Sequence, residues 1–136
     1  MSESGARGVV VGHGAMAAGL VDAVRRIAGV GDDVLAAVSN EGKGPDALKD
    51  ELAKMVGEGP VVVFTDLHAG SCAMAARVAC RTGRENAVVC GVNLPMLLDF
   101  VFHRDMPLPQ LVDKLVTQGR AAITAHLPHA DRTVQG

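Results

Sequence analysis

Four short apolar runs rich in β-branched residues alternate along the chain with segments of helical periodicity, and this alternation restricts the fold more than any other feature. Each run is continuously apolar, which is typical of strands covered on both faces of a sheet. Strands separated by helices pair in parallel. The sequence therefore predicts a doubly wound α/β sheet, mainly parallel, with helices on both faces, and we expect the flavodoxin-like strand order 2-1-3-4 for it. The predicted strands are Arg7–Val11, Asp33–Ser39, Pro60–Thr65 and Asn86–Cys90.

Apolar stripes at helical spacing predict five helices, and glycine or proline marks most of their ends. We predict Ser71 as the N-cap of the third helix. We find no linker and no internal repeat, so residues 1–136 are predicted as one domain, flexible over residues 1–6 and about 128–136. The predicted helices are Ala15–Ala28, one from Pro45 with its stripe reaching Val56, Cys72–Arg81, one after Pro95 to roughly Phe102, and one with apolar positions from Leu108 to Ile123.

Composition argues against several classes of partner. The net charge is −2 without a basic tract, and the chain has three Phe, no Trp and no Tyr, so we predict no nucleic-acid binding. No apolar run reaches the length of a membrane span, and the first residues lack the features of a signal peptide. Three cysteines without a Cys-x-x-Cys spacing fit reduced thiols. We therefore expect a cytoplasmic protein.

The turn Gly12-His13-Gly14 follows the first strand and precedes the first helix. A helix N-terminus has unpaired N–H groups and a partial positive charge, so it favours an anion. A neutral imidazole has one nucleophilic nitrogen, provided that an acceptor holds its other N–H. His13 could simply cap the turn, but the two glycines and its place at a strand end favour a nucleophile that accepts a phosphoryl group.

In a sheet of order 2-1-3-4, ligands bind beyond the carboxyl ends of strands one and three, where the strand order reverses. The loop after strand three contains Asp66, which could hold the His13 ring N–H or could bond only to N–H groups of its own loop. The N–H groups of Gly70, Ser71 and Cys72, together with Gly14 at the start of the first helix, are predicted to bind phosphoryl oxygens.

A metal or thiol enzyme is an alternative, because His68 and Cys72 could join His13 and Asp66 as zinc ligands. The spacing of these residues matches no established zinc signature, so we predict no metal. The chain also lacks a complete dinucleotide fingerprint and a Gly-Lys-Ser/Thr phosphate loop, and we predict no cofactor.

Three motifs in the same order resemble the IIA component of the mannose family, also classed as fructose subfamily, of the bacterial phosphoenolpyruvate-dependent sugar phosphotransferase system. Gly12-His13-Gly14-x-x-Ala17 resembles the family's active-site turn. Phe64-Thr65-Asp66-Leu67-x-Ala69-Gly70-Ser71 resembles its second site loop, and Gly91-Val92-Asn93-Leu94-Pro95-Met96-Leu97 resembles the turn after strand four. The resemblance extends from about Gly8 to Ile123.

The resemblance implies a phosphotransferase that acts through a phosphohistidine. His13 would accept a phosphoryl group from the histidine phosphocarrier protein, Asp66 would bond to its ring, and a IIB component would receive the group. Family members are typically cytoplasmic homodimers that reach the membrane only through the transporter. In this chain Ala69 and Cys72 replace a glycine and a proline of the family pattern. A regulatory protein, whose phosphorylation controls the binding of a partner, is a further alternative.

Donor and acceptor proteins must dock transiently around the histidine. An exposed apolar rim is therefore expected near His13, and its predicted members are Met16, Leu67 and Met96.

Overall fold

The computed structural model describes residues 5–80, 85–129 and 132–135. Its main sheet has four parallel strands in the order β2-β1-β3-β4, which confirms the predicted order. The strands of this sheet are β1 (Arg7–Gly12), β2 (Leu35–Ser39), β3 (Val61–Thr65) and β4 (Asn86–Cys90). Helices cover both faces, so the predicted doubly wound architecture is also confirmed.

The helices are α1 (Met16–Ala28), α2 (Pro45–Val56), α3 (Ser71–Ala79), α4 (Leu94–Phe102) and α5 (Leu108–Ala121). Helices α1, α4 and α5 pack on one face of the sheet, and α2 and α3 pack on the other. The predicted end of the third helix, Arg81, lies outside the described residues. Within the described ranges, no helix combines the length and hydropathy needed to cross a membrane.

Alternate residues of the central strands enter two separate cores because successive side chains of a strand point to opposite faces. Val10 and Phe64 lie in the core beneath α1, α4 and α5, where the Phe64 ring meets Phe100 edge to face at 5.3 Å. Val9 and Val63 lie in the core beneath α2 and α3. The continuously apolar strands observed in the sequence follow from this burial on both faces.

Strand register brings the two candidate loops together. Val11 of β1 lies opposite Thr65 of β3, and each strand ends within one residue of that pair. His13 and Asp66 therefore leave neighbouring strands at the same edge of the sheet, as the predicted topology requires.

The third motif, around Asn93, connects helices α4 and α5 through hydrogen bonds of the Asn93 side chain. The Asn93 side chain accepts a hydrogen bond from the Met96 N–H at 3.0 Å and so caps α4. Its Nδ2 donates to the Gly119 carbonyl of α5, also at 3.0 Å. A Cβ at Gly119 would lie 2.7 Å from the Met96 side chain, so this glycine allows the two helices to pack closely.

Residues 5 and 6, the described part of the leader that the sequence predicted as flexible, are bonded to the domain. Ala6 is buried, and its N–H donates to the Arg104 carbonyl at 2.9 Å. The buried Arg104 side chain donates from Nε to the Ala6 carbonyl at 2.7 Å. These paired bonds hold residues 5 and 6 against the domain, while residues 1–4 lie outside the described residues.

The C-terminal segment contains a second sheet, which reaches into the tail predicted from about residue 128. Strand β5 (Thr124–Leu127) pairs antiparallel with β6 (Arg132–Gln135), forming a separate two-stranded sheet. Residues 130, 131 and 136 lie outside the described residues. Helix α5 ends before Ile123, which is exposed and does not continue the apolar face of that helix.

Candidate functional site

The His13 turn is held by the neighbouring strand β2. The Gly14 N–H donates to Asn40 Oδ1 at 3.1 Å, and the Ser39 hydroxyl donates to the Gly14 carbonyl at 2.9 Å. Gly14 has φ +61°, a conformation that suits glycine. Sequence reasoning missed Ser39 and Asn40 as positioning residues. Their place at the end of the strand predicted beside β1 could have identified them.

Asp66 binds His13 twice through a single carboxylate oxygen. Its Oδ2 accepts the backbone N–H of His13 at 2.9 Å and lies 2.7 Å from Nδ1 of the ring. An ionised carboxylate only accepts hydrogen bonds, so the neutral ring carries its proton on Nδ1 and keeps its lone pair on Nε2. The His13 side chain is 44% exposed, whereas that of Asp66 is 8% exposed.

The charge of Asp66 is stabilised by these contacts. Burial by itself would raise the pKa of Asp66. The hydrogen bonds from the ring and backbone of His13, the attraction of the ring and the Leu67 N–H bond to Oδ1 outweigh it, and the net pKa lies below the ordinary value. The carboxylate is therefore ionised at neutral pH, as the contact with His13 Nδ1–H requires.

Helix α3 begins beside the imidazole, but its cap differs from the prediction. Ser71 is the first residue of the helix and Gly70 is its N-cap, so the predicted N-cap is wrong. Gly70 occupies the cap position with φ +95° and ψ −175°, a region that is essentially restricted to glycine. A Cβ at Gly70 would lie 4.0 Å from His13 Cε1, so the start of the helix lies close to the ring.

The first N–H groups of α3 are available to an anion. The Met74 N–H already bonds to the Gly70 carbonyl at 3.1 Å. The earlier N–H groups of Ser71 and Cys72 precede this bond and have no acceptor within the helix. The positive end of the helix dipole adds to their attraction for negative charge. The Gly14 N–H, by contrast, is already donated to Asn40.

Cys72 brings a thiol into the same cluster. Its side chain is buried, with Sγ 3.8 Å from His13 Nδ1. Burial and the nearby Asp66 charge raise the pKa of the Cys72 thiol, although a contact with Ser71 opposes them. The potential ligand atoms of His13, Asp66 and Cys72 all lie within 4.8 Å of one another. His68 is exposed and does not belong to this group, so three of the four residues considered as zinc ligands meet.

The site is open to its surroundings. Nearly half of the His13 side chain is accessible, while surface cavities of about 530, 550 and 560 Å³ are lined by residues of other regions. An accessible imidazole with a fixed tautomer and an anion-binding helix start nearby can accept a phosphoryl group from a large donor.

Comparison with known proteins identifies one family. A family model described as "PTS system fructose IIA component", where PTS is the phosphotransferase system, matches residues 8–116. No curated protein sequence matches the chain significantly.

Solved structures of similar proteins have the same fold. Phosphotransferase system component EIIA from Streptococcus agalactiae superposes with a TM-score of 0.79 at 25% identity, over 88% of this chain and 95% of that chain. The mannose/sorbose specific IIA subunit from Enterococcus faecalis gives 0.78 at 24% identity, over 90% and 96%. A PTS IIA protein associated with the fucose utilization operon of Streptococcus pneumoniae gives 0.73 at 21%, over 86% and 93%. The latter two likenesses concern the fold alone.

Proposed function

The chain belongs to the PTS fructose IIA component family, and on that premise we propose that it is a phosphohistidine carrier with phosphotransferase activity. His13 accepts a phosphoryl group from the histidine phosphocarrier protein and passes it to a IIB component during sugar uptake. The observation on which the proposal rests is the 2.7 Å contact between Asp66 Oδ2 and His13 Nδ1, because it assigns the lone pair to the exposed ring's Nε2.

The proposed reaction is an in-line transfer between two imidazoles. His13 Nε2 attacks the phosphorus on the donor's histidine, a new N–P bond forms, and the donor's N–P bond breaks with its electron pair returning to that ring. The proton stays on Nδ1, which donates a hydrogen bond to Asp66, and the carboxylate stabilises the positive charge that develops on the His13 ring. In the second transfer, a nucleophile of the IIB component attacks the phosphorus on His13, the N–P bond to His13 breaks, and the neutral His13 imidazole is regenerated.

Backbone N–H groups at the start of α3 stabilise the transferred group in this proposal. Those of Gly70, Ser71 and Cys72 lie on the segment that passes beside His13, and the last two lack helical acceptors. The Gly14 N–H contributes only when Asn40 releases it, so it is assigned a secondary part. This arrangement spreads charge over the phosphoryl oxygens in the transition state.

Both protein partners dock on the surface around His13. Met16 and Leu67, two members of the predicted apolar rim, are exposed, with 43% and 57% of their surfaces accessible. Met96 is buried in the core, so its prediction as a rim residue is wrong. A IIA carrier touches neither the sugar nor the membrane directly, and no nucleic-acid partner is proposed.

We also propose that the protein is a cytoplasmic homodimer. Among the described strands, β4 pairs with β3 alone, and an unpaired strand edge readily adds another strand. Ile123 lines a surface cavity together with Cys90 of β4, and the segment 123–127 is exposed, with apolar residues Ile123 and Leu127 at its ends. All three cysteines are free, which fits a reducing compartment. Sedimentation equilibrium should detect a dimer that Leu127→Asp weakens and Phe102→Asp, at an exposed site on α4, does not.

The carrier proposal is tested by phosphoryl transfer. The protein is incubated with enzyme I, the histidine phosphocarrier protein and labelled phosphoenolpyruvate, with His13→Ala and His103→Ala in parallel. His103 is a matched control because it also contacts an aspartate, with Nδ1 3.1 Å from Asp99 Oδ1. Acid-labile label on the wild type and His103→Ala, but not on His13→Ala, supports the proposal.

The same assay separates the alternatives. Label that moves to a IIB component indicates transport, whereas stable label without onward transfer favours the regulatory protein. Absence of label with a donor that phosphorylates another IIA protein would refute the carrier role.

A further inference from the structure

We propose that His13 Nδ1, Asp66 Oδ2 and Cys72 Sγ form a three-ligand site for Zn²⁺, and that Zn²⁺ bound there prevents phosphorylation of His13. The first part depends only on the geometry of the three side chains. The second part rests on the proposed carrier function.

The three ligand atoms all lie within 4.8 Å of one another, and two of their separations can be compared with those of a zinc site. Bonds of about 2.3 Å to sulfur and about 2.05 Å to nitrogen at a tetrahedral angle place these atoms about 3.5 Å apart. The observed distance from Cys72 Sγ to His13 Nδ1 is 3.8 Å. Nδ1 and Asp66 Oδ2 are 2.7 Å apart, a hydrogen-bond distance that must widen by about 0.6 Å around a metal. The half-exposed His13 ring has room for that movement.

Two of the ligands are held in place without the metal. Asp66 Oδ2 accepts the backbone N–H of His13 at 2.9 Å, a bond that does not involve the ring proton. The other carboxylate oxygen accepts the Leu67 N–H at 2.9 Å. Cys72 is fully buried at the start of α3, where packing fixes its side chain. A cation therefore meets oxygen and sulfur ligands that are already oriented.

The chemical types of the three ligand atoms favour Zn²⁺ over other divalent cations. One nitrogen, one sulfur and one carboxylate oxygen suit Zn²⁺, whereas Mg²⁺ and Ca²⁺ prefer oxygen ligands alone. Three protein ligands leave a fourth tetrahedral position for water, and the exposure of His13 gives solvent access to the cluster.

Metal binding and phosphorylation require opposite forms of the same ring. Zn²⁺ on Nδ1 uses that nitrogen's lone pair, so the neutral ring carries its proton on Nε2 and has no lone pair for attack. A phosphoryl group on Nε2 instead requires a proton on Nδ1, which Asp66 accepts in a hydrogen bond. Each event therefore opposes the other, and the two effects are reciprocal.

The metal site is tested by titrating the full-length protein with Zn²⁺ in a calorimeter and with Co²⁺ in an absorption spectrometer. We expect one metal per chain and a thiolate-to-Co²⁺ charge-transfer band. His13→Ala and Cys72→Ala should each reduce the affinity for metal by at least about 10-fold, because removing even a residue that only supports a metal ligand typically costs that much. Cys72→Ala should also abolish the band. Cys80→Ala, which removes a thiol outside the cluster, should leave both unchanged.

Circular dichroism and thermal unfolding establish that each variant is folded. Failure of folded wild type to bind either metal would overturn the proposal. Equal affinity in wild type and Cys72→Ala, or equal loss in Cys72→Ala and Cys80→Ala, would also overturn it.

The effect on phosphorylation is tested with purified phosphorylated donor, so that enzyme I and its metal requirement are absent. The rate without Zn²⁺ is divided by the rate with Zn²⁺ for each protein. We expect a ratio of at least 10 for wild type and Cys80→Ala, and a ratio near 1 for Cys72→Ala, if Zn²⁺ occupies nine-tenths or more of the sites. A ratio near 1 for zinc-loaded wild type would refute the inhibition. Wild type that is never labelled without Zn²⁺ would refute the carrier function instead and leave the metal titration unaffected.

Discussion

Replacing Asp66 by Asn tests whether the carboxylate fixes the reactive form of His13. One carboxylate oxygen accepts both the backbone N–H and the ring N–H of His13, and the other accepts the Leu67 N–H. An amide has one oxygen and one NH₂ group, so it cannot accept all three bonds. With its oxygen toward His13, the NH₂ group faces the Leu67 N–H. With its NH₂ group toward His13, Nδ1 must become an acceptor and Nε2 loses its lone pair.

The expected loss follows from the bond to the charged ring. Hydrogen bonds to charged groups contribute about 1.5–3 kcal/mol, and each 1.36 kcal/mol changes a rate about tenfold. Asp66→Asn should therefore slow phosphorylation of His13 by about 10- to 150-fold. The first-order rate is measured by rapid quench with phosphorylated donor in excess.

Asp22→Asn is the matched control, because it makes the same chemical change on the exposed face of α1, where Asp22 bonds to Arg26. We expect its transfer rate to equal that of the wild type. Thermal unfolding confirms that both variants are folded. A folded Asp66→Asn protein with a rate within about threefold of the wild type would refute the role assigned to the carboxylate, since a factor of three corresponds to only about 0.65 kcal/mol.

Three further predictions concern stability, and each is checked by chemical denaturation. The folded pKa of Asp66 lies below its ordinary value, so the stability that this carboxylate contributes is present above about pH 4 and is lost as the pH falls through the folded pKa. The difference in free energy of unfolding between wild type and Asp66→Asn should therefore shrink as the pH falls through that range, and a constant difference would contradict the assignment. Gly70→Ala, at φ +95°, should cost about 1–3 kcal/mol, whereas Gly19→Ala, in an exposed turn of α1 with no neighbour within 4 Å, should stabilise by about 0.5–1 kcal/mol; equal effects would exclude backbone strain as the cause. Gly8→Ala places a Cβ 2.8 Å from the Phe100 ring and should cost about 1–3 kcal/mol, and an unchanged midpoint would mean that the core accommodates it.

Much of the fold could be predicted because its signals are local. Continuous apolar runs predict strands buried on both faces, and helical stripes between them require parallel pairing. The pattern predicted a parallel, doubly wound sheet, and the flavodoxin-like order 2-1-3-4 that we expected for it is confirmed. Parallel strands end at one edge, so the same reasoning predicted that His13 and Asp66 would lie together, as they do.

Other parts of the site depended on contacts between distant residues. Asn40 is an ordinary loop residue in the sequence, and only the pairing of β2 with β1 brings its side chain to the Gly14 N–H. Serine is a residue type typical of N-caps, but Gly70 rather than Ser71 takes that position because the chain turns there with a positive φ. Met96 was predicted at the surface and is buried, because Gly119 of α5 leaves room above it.

The sequence by itself determined the alternation of strands and helices, the family and the two principal residues of the candidate site, because these depend on periodicity and on motifs of neighbouring residues. Only the tertiary structure decided that Cys72 rather than His68 joins His13 and Asp66. Both residues lie in the same short segment, and spacing along the chain cannot distinguish them. The start of α3 directs Cys72 into the buried cluster and leaves His68 exposed, because a helix fixes the direction of each side chain relative to its neighbours in space.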